Sequence, residues 1–218
     1  MERKPPKHVK PYHQYPNIIF DLGGVIINLS YQATIDEFSS ICGRDMAEAY
    51  SQKSQVSIFD ELETGKITGP EFYQGLREFF QTDASDEALD RAWNAMLLDI
   101  PPGRIELIQQ LNKQGKRLFL LSNTNGLHKP VFEQILEKST GLPNLDGLFE
   151  KAYYSHLVGD RKPNESIFEH VLEDSSLKAE DTLFIEDSIQ HIEAAQRVGI
   201  RAHHLIPPED IREIGLMG

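Results

Sequence analysis

The segment from Asn17 to Gly24, NIIFDLGG, decides the fold of this chain. Its first four residues form a short, mostly apolar run bounded by Pro16, the pattern of a buried strand. The run ends on a carboxylate, Asp21, and the Gly23-Gly24 pair then turns the chain. Open α/β sheets bind their ligands at the carboxyl ends of such strands.

Outward from this segment, three more runs read as strands: Arg117 to Ser122 (RLFLLS), Lys151 to Ser155 (KAYYS) and Thr182 to Glu186 (TLFIE), with a weaker one from Ala202 to Ile206. Near-continuous apolar strands belong inside parallel sheets covered on both faces. Helical patterns lie between them. Arg104 to Gln114 carries Ile105, Ile108 and Leu111 at helical spacing and ends before Gly115. Ser166 to Leu172 and Ser188 to Val198 repeat the pattern, the second stopping at Gly199. Strand and helix alternate, so the expected core is a doubly wound parallel α/β sheet, Rossmann-like in layout.

One interval breaks the alternation. About 95 residues separate Asp21 from Arg117, whereas a crossover needs only about a dozen. Thr68 with Glu71 makes a capping-box pattern beside Pro70, and Ser85 before Asp86 and Glu87 reads as another helix start. Phe72, Leu76, Phe79 and Phe80 give one apolar face, and Leu89, Trp93, Met96 and Leu97 a second. These features predict a helical cap over residues 31–98, inserted into an α/β core of residues 17–30 and 99–218. Residues 1–16, with Arg3, Lys4, Lys7 and Lys10 against Glu2, are expected to form a flexible basic tail.

Composition narrows the function. The 218 residues are 39% hydrophobic and 26% charged, with a formal net charge of -12. That acidity argues against a nucleic-acid partner, and no apolar run approaches the roughly 20 residues a membrane span requires. No apolar stretch follows the basic N-terminus as in a signal peptide, and Cys42 is the single cysteine. A reducing cytoplasm is the expected location. An anionic substrate must then be held by local cations rather than by a long-range field.

The strand ends supply the chemistry: Asp21, Ser122 with Asn123, Lys162 after the third strand, and Glu186 with Asp187. One carboxylate, a hydroxyl, a lysine and an acidic pair converging on one crevice suit phosphoryl transfer. Oxygen-only ligands favour a hard cation, and magnesium is the usual partner of carboxylates plus phosphate.

Four phrases in order, IIFDLGGVI, LLSNTN, GDRKP and FIEDS, resemble the four motifs of the haloacid dehalogenase-like superfamily across residues 17–206. The resemblance implies that Asp21 is a nucleophile forming an aspartyl-phosphate. It implies magnesium on the Asp21 carboxylate, the Gly23 carbonyl and Asp187, with Glu186 nearby through water. It assigns the phosphoryl group to Ser122 and the neighbouring amides, including Asn123 and Gly24, and charge neutralisation to Lys162. The substrate implied is a small phosphorylated metabolite, and the oligomeric state stays open.

One position departs from the superfamily pattern. Most of its phosphatases carry a second aspartate two residues after the nucleophile, as acid and base, and here that residue is Gly23. General acid–base catalysis typically contributes about 10²–10⁴-fold, so its source must be found elsewhere, or the pocket only binds a phosphate ligand. The acidic pair argues against metal-free dehalogenation, and Gly23 against a phosphomutase. FDLGGVI, SNTNGLH and ETGKIT resemble bacterial sugar-phosphate phosphatases of the α-D-glucose-1-phosphatase type, which share this glycine; an anomeric oxygen leaves readily. His128, six residues past Ser122, is the best candidate for a substitute proton donor, its other reading being a helix-start or surface histidine. In the insert, Asp60, Glu61 and Glu63 could face the pocket, although a run of acids is more often a solvated helix face.

Overall fold

Alternate residues of the first strand point to opposite faces, and this period of two organises the molecule. The computed structural model describes residues 10–51 and 57–217. Strands β1 (Asn17–Phe20), β2 (Arg117–Ser122), β3 (Lys151–Tyr154), β4 (Thr182–Glu186) and β5 (Arg201–His204) form one parallel sheet in the order β3-β2-β1-β4-β5. Ile18, Phe20, Leu118, Leu120, Leu183 and Ile185 fall in one apolar cluster, while Ile19, Phe119, Leu121 and Phe184 fall in another. Each fully buried side chain of this kind contributes roughly 1.5–3 kcal/mol.

The first cluster is closed by α6 (Pro102–Lys113), through Ile105, Ile108 and Leu111, and by α7 (His128–Thr140), through Phe132 and Leu136. The second is closed by α9 (Glu165–Asp174), through Ile167, Phe168 and Val171, and by α10 (Ile189–Arg197), through Ile192, Ala194 and Ala195. The four-residue α8 (Ser155–Val158) follows β3 directly. The sheet is therefore doubly wound. Its order reverses at β1, which places Asp21 in the crevice where such folds bind ligands.

Between β1 and β2 lie helices α1 (Tyr31–Cys42), α2 (Ala47–Ser51), α3 (Ser57–Glu63), α4 (Gly69–Phe80) and α5 (Asp86–Asn94). Thr68 and Glu71 complete the capping box of α4, and Ser85 accepts the Ala88 N–H at the start of α5. These helices share an apolar cluster of their own, including Phe38, Phe59, Phe72, Leu76, Phe80 and Trp93. The insert leaves and rejoins the sheet through a short antiparallel pairing. Ser30 N–H donates to Met96 O at 2.9 Å, Asn28 N–H to Asp99 O at 2.9 Å, and Leu98 N–H to Asn28 O at 3.0 Å.

Residues 10–16 correct the expectation of a loose tail. Lys10 pairs with Asp181 at 3.0 Å, the Tyr12 hydroxyl meets His203 Nδ1 at 2.9 Å, and Tyr15 is buried. Arg3, Lys4 and Lys7 lie outside the described residues. Among the described residues, no helix is long and apolar enough to cross a membrane.

Candidate active site

Lys162 organises the crevice. Its side chain is fully buried, which an ammonium tolerates only when paired. Nζ donates to Asp21 Oδ1 at 2.6 Å, to Glu186 Oε2 at 2.6 Å and to the Leu121 carbonyl at 2.9 Å, filling its three donor positions. The backbone around it is clamped as well. Asn123 Nδ2 donates to Lys162 O at 2.8 Å, and Lys162 N–H donates to Asn123 Oδ1 at 2.9 Å. The expected phosphate role of Asn123 is narrowed by this clamp, which commits both polar ends of its side chain to Lys162.

Glu186 also holds its surroundings. Oε1 accepts the N–H groups of Asp187 and Ser188 at 3.1 and 3.0 Å, and His191 Nδ1 stands 3.0 Å from Oε2. His204 Nε2 lies 2.9 Å from the Asp187 carbonyl and fixes the same loop from β5. Ligand oxygens of Asp21, Glu186 and Asp187 all come within 4.8 Å of one another. Three carboxylates thus face one ammonium, and their electrostatics record the excess of negative charge. Burial, reinforced by Glu186 and opposed by Lys162, raises Asp21 to about 6. Burial, with the Glu186 hydrogen bond and the charges of Asp21 and Glu186, pushes Asp187 up to about 8. Burial would raise Glu186 too, but Lys162 and His191 outweigh it and hold that carboxyl well below the usual range. Burial would lower Lys162, yet Asp21 and Glu186 more than offset it and keep the ammonium above its ordinary value.

The two glycines differ in backbone conformation and in what they contact. Gly24 sits at φ +70°, and a Cβ there would fall 2.1 Å from Asp187 Oδ2. Its N–H donates to Ile27 O at 2.9 Å. The expected phosphate contact from Gly24 is corrected accordingly: its amide is used by the turn, and the residue is glycine so that Asp187 can approach. Gly23 is outside the left-handed region. The bridging hydrogen bonds of this turn use Gly24 N–H and Leu22 O and leave the Gly23 carbonyl out.

A cavity of about 300 Å³ opens on these groups. Asp21, Gly23, Ser122, Asn123, Lys162, Glu186, Asp187 and His128 all line it. His128 begins α7, buried, edge-on to Trp93 with ring centroids 4.9 Å apart. The insert supplies Tyr31, Glu63, Trp93 and Met96 to the same cavity, and the core adds Arg161 and His191. Of the acidic run on α3, Glu63 lines the cavity, 3.0 Å from Arg161 Nη2, and Asp60 also pairs with Arg161, so this is not a purely solvated face. Only the adjacency of Arg161 to Lys162, and the position of His191 one helical turn past the acidic pair, hint in the sequence at these additions.

Comparison with known proteins defines the class. The profile of the haloacid dehalogenase-like hydrolases matches residues 18–204, and the chain belongs to that family. It is 29% identical over 183 residues to a D-ribitol-5-phosphate phosphatase of Bacteroides thetaiotaomicron, covering 84% of this chain and 88% of the relative. It is 27% identical over 187 residues to a sesquiterpene phosphatase of Aspergillus oryzae, covering 86% and 88%. A HAD family enzyme of Bacteroides thetaiotaomicron, solved in complex with magnesium and inorganic phosphate, superimposes with a TM-score of 0.77 at 34% identity, covering 89% of this chain and 96% of that one.

Proposed function

We propose that this chain is a magnesium-dependent phosphatase that hydrolyses a small phosphomonoester, of the sugar-phosphate kind, through an aspartyl-phosphate on Asp21. The observation that carries the reading is the Lys162 ammonium bound to both Asp21 and Glu186, with Asp187 alongside them in the cavity lining. The phosphatase and phosphate-complex relatives support it.

The residues present fit magnesium: three oxygen donors within 4.8 Å of one another carry more negative charge than Lys162 offsets. The Asp21 and Asp187 carboxylates and the Gly23 carbonyl would hold the ion, with Glu186 behind them, since both its oxygens already accept hydrogen bonds. Bound there, magnesium supplies positive charge against the phosphoryl oxygens.

In the first half-reaction, an Asp21 oxygen attacks phosphorus while the bond to the leaving oxygen breaks. Lys162 offsets charge between Asp21 and the phosphoryl group, and Ser122 donates to a phosphoryl oxygen. The leaving oxygen takes a proton, for which His128 is the proposed source because it lines the cavity from the start of α7. Water then attacks the phosphorus of the aspartyl-phosphate and gives a proton back to His128, the bond to Asp21 breaks, and hydrogen phosphate leaves with Asp21 and His128 both restored.

Neither phosphatase relative is named for glucose 1-phosphate, and that substrate stays a narrower option within this class. A second reading, a binding protein without turnover, draws on Gly23 alone. Incubation with a panel of phosphorylated metabolites and magnesium separates the two. Phosphate release that stops in excess chelator and returns with magnesium is expected. Saturable binding with no release would favour the second reading.

A further inference from the structure

Residue 23 is where the superfamily pattern carries its second aspartate, and in this chain a leucine fills the space. A Cβ on Gly23 would lie 2.7 Å from Leu29 Cδ1 and 3.7 Å from Leu29 Cγ. Non-bonded carbons rest at about 3.5–4.0 Å, so the Leu29 isobutyl group already stands where a residue-23 side chain would begin. The same point is 4.0 Å from Asp21 Oδ2, while the other oxygen, Oδ1, accepts from Lys162. The filled space therefore adjoins the Asp21 oxygen that Lys162 does not hold.

The backbone holds Leu29 in this place. It bridges Leu97 in the antiparallel pairing at the base of the insert, between the Asn28 N–H bond to Asp99 O and the Ser30 N–H bond to Met96 O, both 2.9 Å. Its half-buried side chain lines the cavity with Asp21 and Gly23, and packs against the core cluster that contains Leu22 and Ile27. An ordered water needs two to four polar partners, and an isobutyl group offers none.

We infer that Leu29 is a specificity-determining residue, which seals the Gly23 side of Asp21 so that neither water nor an acid reaches the departing oxygen from there. The inference rests on the phosphatase reading. It leaves protonation to other cavity groups, of which His128 is the one assigned above, and it disfavours the esters whose leaving oxygen most needs a proton. A leucine that only packs contributes apolar burial and nothing more. The two roles separate because only a seal, once opened, admits a small acid. Leu29→Ala vacates a space about the size of formic acid. There, formic acid gives its proton to the departing oxygen as the phosphorus–oxygen bond breaks. The formate left behind takes a proton from the attacking water, which regenerates the acid.

The test measures kcat/KM for ethyl phosphate and 4-nitrophenyl phosphate in the full chain with magnesium, at mildly acidic pH. Sodium formate is compared with sodium chloride at equal ionic strength. In Leu29→Ala, formate should raise ethyl phosphate hydrolysis saturably by about 10-fold or more, and 4-nitrophenyl phosphate hydrolysis by less than about threefold. The wild type and Leu29→Met, which conserves the side-chain volume, should show no gain specific to formate. Leu29→Val suits a paired strand and opens less space, so its gain should be smaller; it reads the same effect if Leu29→Ala fails to fold. A purely structural defect lowers both esters alike and does not respond to formate. A formate gain in the wild type equal to that in Leu29→Ala, or no gain in the opened variants, overturns the inference alone. No phosphate release from these esters or from the metabolite panel overturns the phosphatase reading and this inference with it.

Discussion

Asp187 lies directly against Gly24: the carboxylate occupies the space that a Cβ on Gly24 would fill, 2.1 Å from its Oδ2. The glycine and the acid therefore form one unit, in which a left-handed turn at the end of β1 admits a carboxylate from the end of β4. Gly24→Ala should displace Asp187 and add about 1–2 kcal/mol of left-handed strain. We expect magnesium activation to shift at least tenfold to higher concentration, with a melting temperature lower by several degrees. Magnesium titration of activity checks this, and an unchanged midpoint would detach Asp187 from the metal.

Gly23 behaves differently. It has no left-handed backbone, and a Cβ there would come closest to the tip of a side chain, Leu29 Cδ1 at 2.7 Å, with Leu29 Cγ at 3.7 Å and Asp21 Oδ2 at 4.0 Å. Gly23→Asp should therefore fold once Leu29 rotates, and Leu29→Ala should make room for it. If proton transfer limits turnover, the substitution raises alkyl-phosphate hydrolysis relative to aryl-phosphate hydrolysis, within the roughly 10²–10⁴-fold available to general acid–base catalysis. The ratio of the two rates is the measurement. A ratio that does not move would leave proton transfer with His128.

Magnesium uptake should release protons. Asp187 is pushed up to about 8 and Asp21 to about 6 in the metal-free protein, and both must ionise to bind a cation. Calorimetry at neutral pH in buffers of different ionisation enthalpy should show this release, and it should fade once the pH exceeds the Asp187 value. The sign for stability follows from the raised values. Both groups favour the fold fully below their ordinary carboxylate range, and this contribution is lost as pH rises through 6 and 8. Melting of the metal-free protein from pH 5 to about 9 should show that decline, and magnesium should reverse it.

Away from the site, Arg104 and Asp210 form a buried pair at 2.9 Å that joins α6 to the C-terminal segment. Arg104 also reaches the Ile26 carbonyl and Asn28 Oδ1. Asp210→Ala strands a buried guanidinium and should cost about 3–5 kcal/mol in denaturant unfolding. Burial would raise Asp210, but hydrogen bonds from Arg212 and Arg104 outweigh it and hold the carboxyl at about 2. This depressed value stabilises the fold above the ordinary value of 3.8, and the contribution is lost as pH falls from there through 2. The Asp210→Ala protein should lose that part of its acid dependence.

The sheet was legible in the sequence because β1, β2 and β4 are nearly continuous apolar runs, each ending on or immediately before a polar residue of the site. Asp21, Ser122, Glu186 and Asp187 reach one cavity for that reason, and Lys162 and His128 join them from the segments that follow β3 and β2. What stayed hidden depends on side-chain direction. No local pattern indicates that the Asn123 amide turns to clamp Lys162, or that the Gly24 N–H is spent on Ile27. The cavity residues of the insert were hidden for a related reason. Trp93 reads as core, and it is core; its ring also forms part of the cavity wall. Glu63 and Asp60 read as a solvated face because Arg161, the residue they meet, lies about a hundred positions away in the chain. The docking of Lys10 and Tyr12 has no signal in the sequence, because a proline-rich basic segment offers no periodicity.

The central claim is that Asp21 carries the phosphoryl group. Rapid mixing of the protein and magnesium with a ³²P-labelled ester, followed by acid quench and peptide mapping, reads it directly. The account predicts a transiently labelled chain with the label on Asp21, and neither label nor phosphate release in Asp21→Asn, whose fold should survive. Turnover persisting in a pure Asp21→Asn preparation, or label on another residue, would contradict it.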